Sequence, residues 1–140
     1  GEPLKPLGSV ASGGELSRIM LALKTVLAKN DEIETLIFDE IDTGISGRTA
    51  QKVSEKMAQI GQRHQVICIT HLPQIAAMAD AHYLIEKNVE NEKTISSIRL
   101  LSKEEEIEEL ARLIGGAKIT ETTIHTVTEM KGLAEQAKIN

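Results

Sequence analysis

Aromatic side chains are almost absent from this chain of 140 residues, where Phe38 and Tyr83 are the only two and tryptophan does not occur. A core must therefore be assembled from Leu, Ile, Val, Met and Ala, and stacking platforms for single-stranded nucleic acid are not expected. Cys68 is the one cysteine and lies in an apolar run, which excludes a disulfide framework and a thiolate metal cluster and fits a reducing cytosol. Basic blocks are missing too. With 16 Lys and Arg against 21 Asp and Glu the formal net charge is −5, so this segment alone should not grip a phosphate backbone strongly. No stretch approaches the ~20 apolar residues of a membrane span, and Gly1 to Leu7 has no signal-peptide core.

What is present suffices for one small domain, residues 1–140. Gly1 to Val10, with Pro3 and Pro6, reads as an extended lead-in. Leu16, Ile19, Met20, Leu23, Val26 and Leu27 then recur at helical spacing, predicting one buried stripe, with Arg18, Lys24 and Lys29 off it and Asn30-Asp31 as the end of the helix. Thr35 to Phe38 reads as a strand buried on both faces and runs into Asp39-Glu40. After a turn rich in Gly and Ser, Ala50, Val53, Met57 and Ile60 mark a second helix, and Val66 to Thr70 a second buried strand. Strand, helix, strand predicts parallel pairing.

Pro73 can open a short third helix to about Ala79, because its missing N–H costs nothing in a first turn. Tyr83 to Glu86 and Thr94 to Leu101 flank a polar turn and predict a hairpin, in which Ile95, Ile98 and Leu100 alternate imperfectly, as at a bulge or a misplaced boundary. Ile107, Leu110, Ala111 and Ile114 make a further amphipathic helix ended by Gly115-Gly116. Thr120 is placed to cap a last, Thr-rich helix with Ile124, Val127 and Met130 in helical rhythm.

Three places carry chemistry. Ser12-Gly13-Gly14-Glu15 has the spacing of a capping box ahead of an apolar-periodic helix. Its two glycines weaken a first turn, and they would also leave backbone N–H groups open to an anion at the positive helix end. Asp39 and Glu40 follow a buried strand, and alternation along a strand would send them to opposite sides. Asp39 then suits a hard cation such as Mg²⁺, directly or through water, and Glu40 suits activation of a water; a solvated, inert pair is the bland alternative. His71 follows the next strand, so an imidazole and two carboxylates would share the carboxyl edge of one sheet, where ligands bind in open parallel sheets. His64, His82 and His125 show no metal-ligand spacing with it.

Taken together and in order, these residues resemble the ABC-type ATPases: Ser12-Gly13-Gly14-Glu15 their signature, Leu36 to Glu40 their Walker B strand with its catalytic glutamate, and Thr70-His71 their switch histidine. Within that superfamily the wording is similar to the RecN-like bacterial repair ATPases, related to the structural-maintenance-of-chromosomes (SMC) proteins. Leu4 to Leu7, Val10 to Arg18, Asp39 to Gly47, Thr70 to Gln74 and Glu108 to Gly116 carry the likeness over most of the chain. Ala11 stands where transporter signatures usually have Leu, and Asp42 to Gly47 departs from the transporter D-loop.

The resemblance implies an α/β fold, a partial P-loop NTPase lobe with a mostly parallel sheet flanked by helices. It implies ATP and Mg²⁺ as ligands and a homodimer of heads around two ATP molecules. Ser12 and Gly14, within the Ser12 to Glu15 motif, would meet the γ-phosphate held by the other head. Asp39 would support Mg²⁺, Glu40 activate water, Asp42 lie at the dimer contact and His71 sense the γ-phosphate. No G-x-x-x-x-G-K-[ST] occurs, since Gly115-Gly116-Ala117-Lys118 has the wrong spacing. In RecN-like proteins that loop belongs to an N-terminal lobe, so this chain is expected to be the C-terminal lobe of a head acting in DNA double-strand-break repair and recombination. By itself it should be inactive. DNA would be met mainly through the full-length protein, in the cytoplasm at the nucleoid and with no membrane partner. An ABC transporter lobe and a non-catalytic interaction module of the same fold are the rival readings.

Overall fold

The computed structural model describes residues 3, 5–27, 32–90, 93–116 and 118–139. A 3-10 turn at Leu7–Ser9 leads into α1 (Gly13–Leu27), β1 (Thr35–Phe38), α2 (Gly47–Gly61), β2 (Gln65–Cys68) and the short α3 (Pro73–Ala76). The hairpin β3 (Tyr83–Glu90) and β4 (Lys93–Leu100) follows, then α4 (Lys103–Gly115) and α5 (Glu121–Ile139). The expected helix end at Asn30-Asp31, the residues 91–92 of the hairpin turn and part of the lead-in lie outside the described residues.

Parallel pairing is present: β1 lies beside β2 with Thr35 opposite Gln65 and Phe38 opposite Cys68, and α2 makes the crossover. The helix forms where its apolar period demands it. Ala50, Val53, Met57 and Ile60 are all buried, against Leu36 and Phe38 of β1, Leu21 of α1 and Ile41. Each large side chain in this cluster contributes about 1.5–3 kcal/mol by leaving water. His64 has a structural role, its Nδ1 2.6 Å from the Ile33 carbonyl, so that the approaches to the two strands are tied together.

A second cluster joins Ala76, Ala77 and Met78 to Leu110 and Ala111 of α4 and Val127 and Ala134 of α5. Ser102 and Glu105 form a capping box on α4, Gly116 ends that helix at φ 64°, and Thr120 Oγ1 accepts the Thr123 N–H at 3.2 Å. Lys131 Nζ donates to the Ala79 carbonyl at 2.9 Å and lies 3.0 Å from Glu106 Oε2, fixing α5 to α4 and to the segment that follows α3. The hairpin runs in continuous register from Tyr83 opposite Leu100 to Glu90 opposite Lys93, so β3 is longer than expected, β4 lies one residue earlier, and the pair carries no bulge. Among the described residues no helix is long and apolar enough to cross a membrane.

Two expectations about burial are corrected. The stripe Leu16, Ile19, Met20, Leu23, Val26 and Leu27 is exposed, with Val26 at 81%, and Leu21 is the large apolar residue of α1 that is buried. Helical periodicity identifies an apolar face but not what lies against it, and α1 turns its other face inward. The strands are likewise one-sided: Leu36 and Phe38 are buried, whereas Ile37 is 69% exposed and Ile67 is exposed as well.

Candidate functional site

Ser12 and Glu15 close the N-terminus of α1 reciprocally. The Ser12 N–H and hydroxyl donate to Glu15 Oε2, both at 2.8 Å, and the Glu15 N–H donates to Ser12 Oγ at 3.3 Å. The Ser12 N–H, with its hydroxyl second, holds the Glu15 carboxyl below the usual range. Ser12 and Gly13 remain exposed, whereas Gly14 is buried. This is a working helix cap with its first turn facing outward, the arrangement that favours an anion.

Gly14 is buried because the turn after β1 lies directly on it. A Cβ at Gly14 would stand 2.7 Å from the Glu40 carbonyl oxygen and 3.1 Å from Thr43 Cβ, so any larger residue would push the turn away. Ser17 Oγ donates to the Asp39 carbonyl at 2.8 Å, and Arg18 Nη1 donates to the Ile41 and Thr43 carbonyls at 3.0 and 2.9 Å. Held this way, Glu40 adopts φ +56°, a left-handed conformation in which no other non-glycine residue is found among those described. The strand ends at Phe38, so strand alternation does not separate Asp39 from Glu40; the bend does. The Glu40 N–H donates to Asp39 Oδ1 at 2.9 Å, and both side chains are exposed.

Asp42 turns the opposite way, into the lobe, at 5% exposure. Its Oδ2 accepts the Thr70 hydroxyl at 2.7 Å and the His71 N–H at 3.0 Å, with His71 Nδ1 also 3.0 Å away. Burial acts to raise the Asp42 pKa, but the Thr70 and His71 donors, with the ring beside them, outweigh it and leave the carboxyl below its ordinary range. Asp42 therefore faces into its own lobe, towards Thr70 and His71. His71 is 73% exposed. Cys68, under the same turn, has its thiol pushed up to about 12 by burial and by the charges of Asp42 and Asp39.

The structure gathers six of the sequence-predicted site residues at the carboxyl end of the parallel pair, Gly13 and Gly14 against Glu40, Asp39 beside it, and Asp42 against His71, while Ser12 and Glu15 bond each other at the same end of α1. Ser17, Arg18 and Thr70 also hold the site, although the motifs assign them no role of their own. A signal for the first two exists, because Gly14, Ser17, Arg18 and Leu21 stand at i, i+3, i+4 and i+7 and share one helix face. A hydrophobic pattern cannot find that face, since three of its four members are not apolar.

The fold is shared with the SMC ATPases. A solved chain described for ATP-driven dimerization and DNA-stimulated activation of SMC ATPases superposes with a TM-score of 0.53, at 24% identity over 81% of this chain and 67% of its own. The chain is RecN-like along its whole length. It is 50% identical over 140 residues to the DNA repair protein RecN of Halalkalibacterium halodurans, covering 100% of this chain and 25% of that protein. The Bacillus subtilis protein of the same name is 47% identical over 138 residues, 99% of this chain and 24% of the relative. That of Treponema pallidum is 48% identical over 130 residues, 93% and 23%. The chain therefore spans about a quarter of the length of the curated relatives it matches. No family model matches it.

Proposed function

We propose that this chain is the C-terminal lobe of an ATP-binding and ATP-hydrolysing head of a RecN-like DNA repair protein. The head is completed by an N-terminal lobe that supplies the phosphate loop, and two heads close on each other around ATP. The observation that carries this reading is Glu40 held at φ +56° against the glycines of the α1 cap, because strain of this kind persists where function requires a group to be aimed.

Each residue then has a distinct task. Glu40, exposed at the strand end, takes the proton of the attacking water. His71 presents its ring to the γ-phosphate while Asp42 anchors it from behind. Ser12 and the N–H groups of Gly13 and Gly14 face the γ-phosphate of the opposite head, at the positive end of α1. Asp39 has one carboxylate oxygen on the Glu40 N–H and is otherwise exposed, a donor suited to a hard cation that takes its remaining ligands from phosphate and water. Mg²⁺ held there would neutralise charge on the phosphates. The exposed apolar face of α1 and the outer face of β1 and β2 form the seat of the N-terminal lobe. DNA binding belongs mainly to the full-length protein, working at the nucleoid in double-strand-break repair and recombination.

Hydrolysis by the isolated chain and by a protein containing both lobes tests the reading. The chain alone should be inactive; the two-lobed protein should turn over ATP, and Glu40→Gln should slow it by about 10²–10⁴-fold while leaving an ATP-trapped dimer visible by light scattering. Turnover by the purified chain alone, abolished by Glu40→Gln, would overturn it.

A further inference from the structure

We infer that Arg18, with Ser17, is a positioning residue for the catalytic turn of its own head, so that the α1 cap acts on two ATP sites: the partner's through Ser12 and its own through Arg18. The inference rests on the head-to-head reading above and adds to it a connection within one lobe. Glu40 occupies a backbone conformation that a glutamate does not choose unaided, and the groups that hold it come from one face of α1. Ser17 takes the carbonyl on its N-terminal side, that of Asp39, and Arg18 takes the two beyond it, those of Ile41 and Thr43. Gly14 lets the helix come close enough for these donors to reach. Three main-chain carbonyls of the residues 39–43 are thus bound to the helix that carries the signature, and a shift of that helix on meeting the partner's phosphate moves Glu40 with it.

The tests use a two-lobed protein. Arg18→Met should lower kcat on the order of 10²-fold, the scale of a small misplacement of a reacting group, with little change in the KM for ATP. Arg18→Lys, which keeps a cationic donor on a shorter stem, should recover part of that loss. Mixed dimers then separate action on the same head from action across the interface. Each site combines Glu40 of one head with Ser12 of the other. If Arg18 acts on its own Glu40, mixing Arg18→Met with Ser12→Arg leaves one intact site and restores about a quarter of the wild-type rate, half of random dimers being mixed. Mixing Arg18→Met with Glu40→Gln then restores nothing. Restoration by Glu40→Gln and not by Ser12→Arg would mean that Arg18 serves the partner's site, and would overturn the inference. Restoration by neither, with Ser17→Ala equally unrestored, would reduce the contacts to folding and also overturn it. The reference pair, Ser12→Arg with Glu40→Gln, must itself restore activity; its failure would sink the head-to-head reading instead.

Discussion

The buried carboxylate of Asp42 accepts the backbone N–H of His71 at 3.0 Å and stands 3.0 Å from Nδ1 of the same residue, joining the turn after β1 to the end of β2. One acidic group therefore fixes both the backbone and the ring of an exposed histidine. With Nδ1 turned to the carboxylate, Nε2 is the ring atom left for a ligand.

This contact gives stability a pH dependence of known sign. Because the folded carboxyl titrates below its unfolded value, its contribution is present above the ordinary Asp value of about 3.9 and is lost as the pH falls through the lowered one. Asp42→Asn should cost about 1–3 kcal/mol at neutral pH, from donors left poorly paired, and much less in acid. Urea melts across that range measure it; a difference independent of pH would contradict the assignment.

The two glycines of the cap should respond differently to Ala. At Gly14 a Cβ meets the Glu40 backbone, which cannot move without disturbing the turn after β1, so about 1–3 kcal/mol of stability should be lost. At Gly13 the obstruction is Glu40 Oε2, at 2.5 Å, the end of a flexible side chain that can swing aside. Gly13→Ala should be close to neutral in a thermal melt, and equal losses at the two positions would show that the close approach is not decisive.

Glu40→Gly should stabilise the lobe by about 0.5–1 kcal/mol while removing hydrolysis in the two-lobed protein, because glycine accepts φ +56° without strain. Denaturant midpoints beside initial rates measure the two effects, and loss of both stability and activity would count against stored strain.

The Cys68 thiol should be slow to alkylate. With its titration pushed up to about 12 from 9.0, the thiolate at mildly alkaline pH is about 10³-fold scarcer than for an ordinary cysteine. Iodoacetamide labelling followed by mass spectrometry should therefore require denaturant to reach a normal rate.

Val26→Lys, placed on the exposed face of α1, should change the stability of this chain by less than about 0.5 kcal/mol. In the two-lobed protein it should be severely disruptive, since a Lys would then be buried without a partner. Equal, small effects in both would place the N-terminal lobe elsewhere.

Much of this protein is determined by local sequence. The Ser12/Glu15 cap, the inner face of α2, the proline at the head of α3, the Gly116 stop and the Thr120 cap follow from hydrogen-bonding groups or apolar periods within a few residues of one another, and all are present. Motif order likewise placed Asp39, Glu40 and His71 at one sheet edge, since the carboxyl ends of parallel strands lie together.

Tertiary structure decided which way things face. The apolar stripe of α1 is not what this lobe buries, because Gly14, Ser17 and Arg18 fit the turn by close approach and by donors aimed at carbonyls, neither of which a hydrophobic pattern records. Asp42 points inward because Thr70 and His71, almost thirty residues along the chain, supply the donors that make burying a carboxylate tolerable. Glu40 is left-handed because the surrounding contacts outweigh its own preference. Each of these outcomes depends on partners distant in sequence, and only folding brings them within reach.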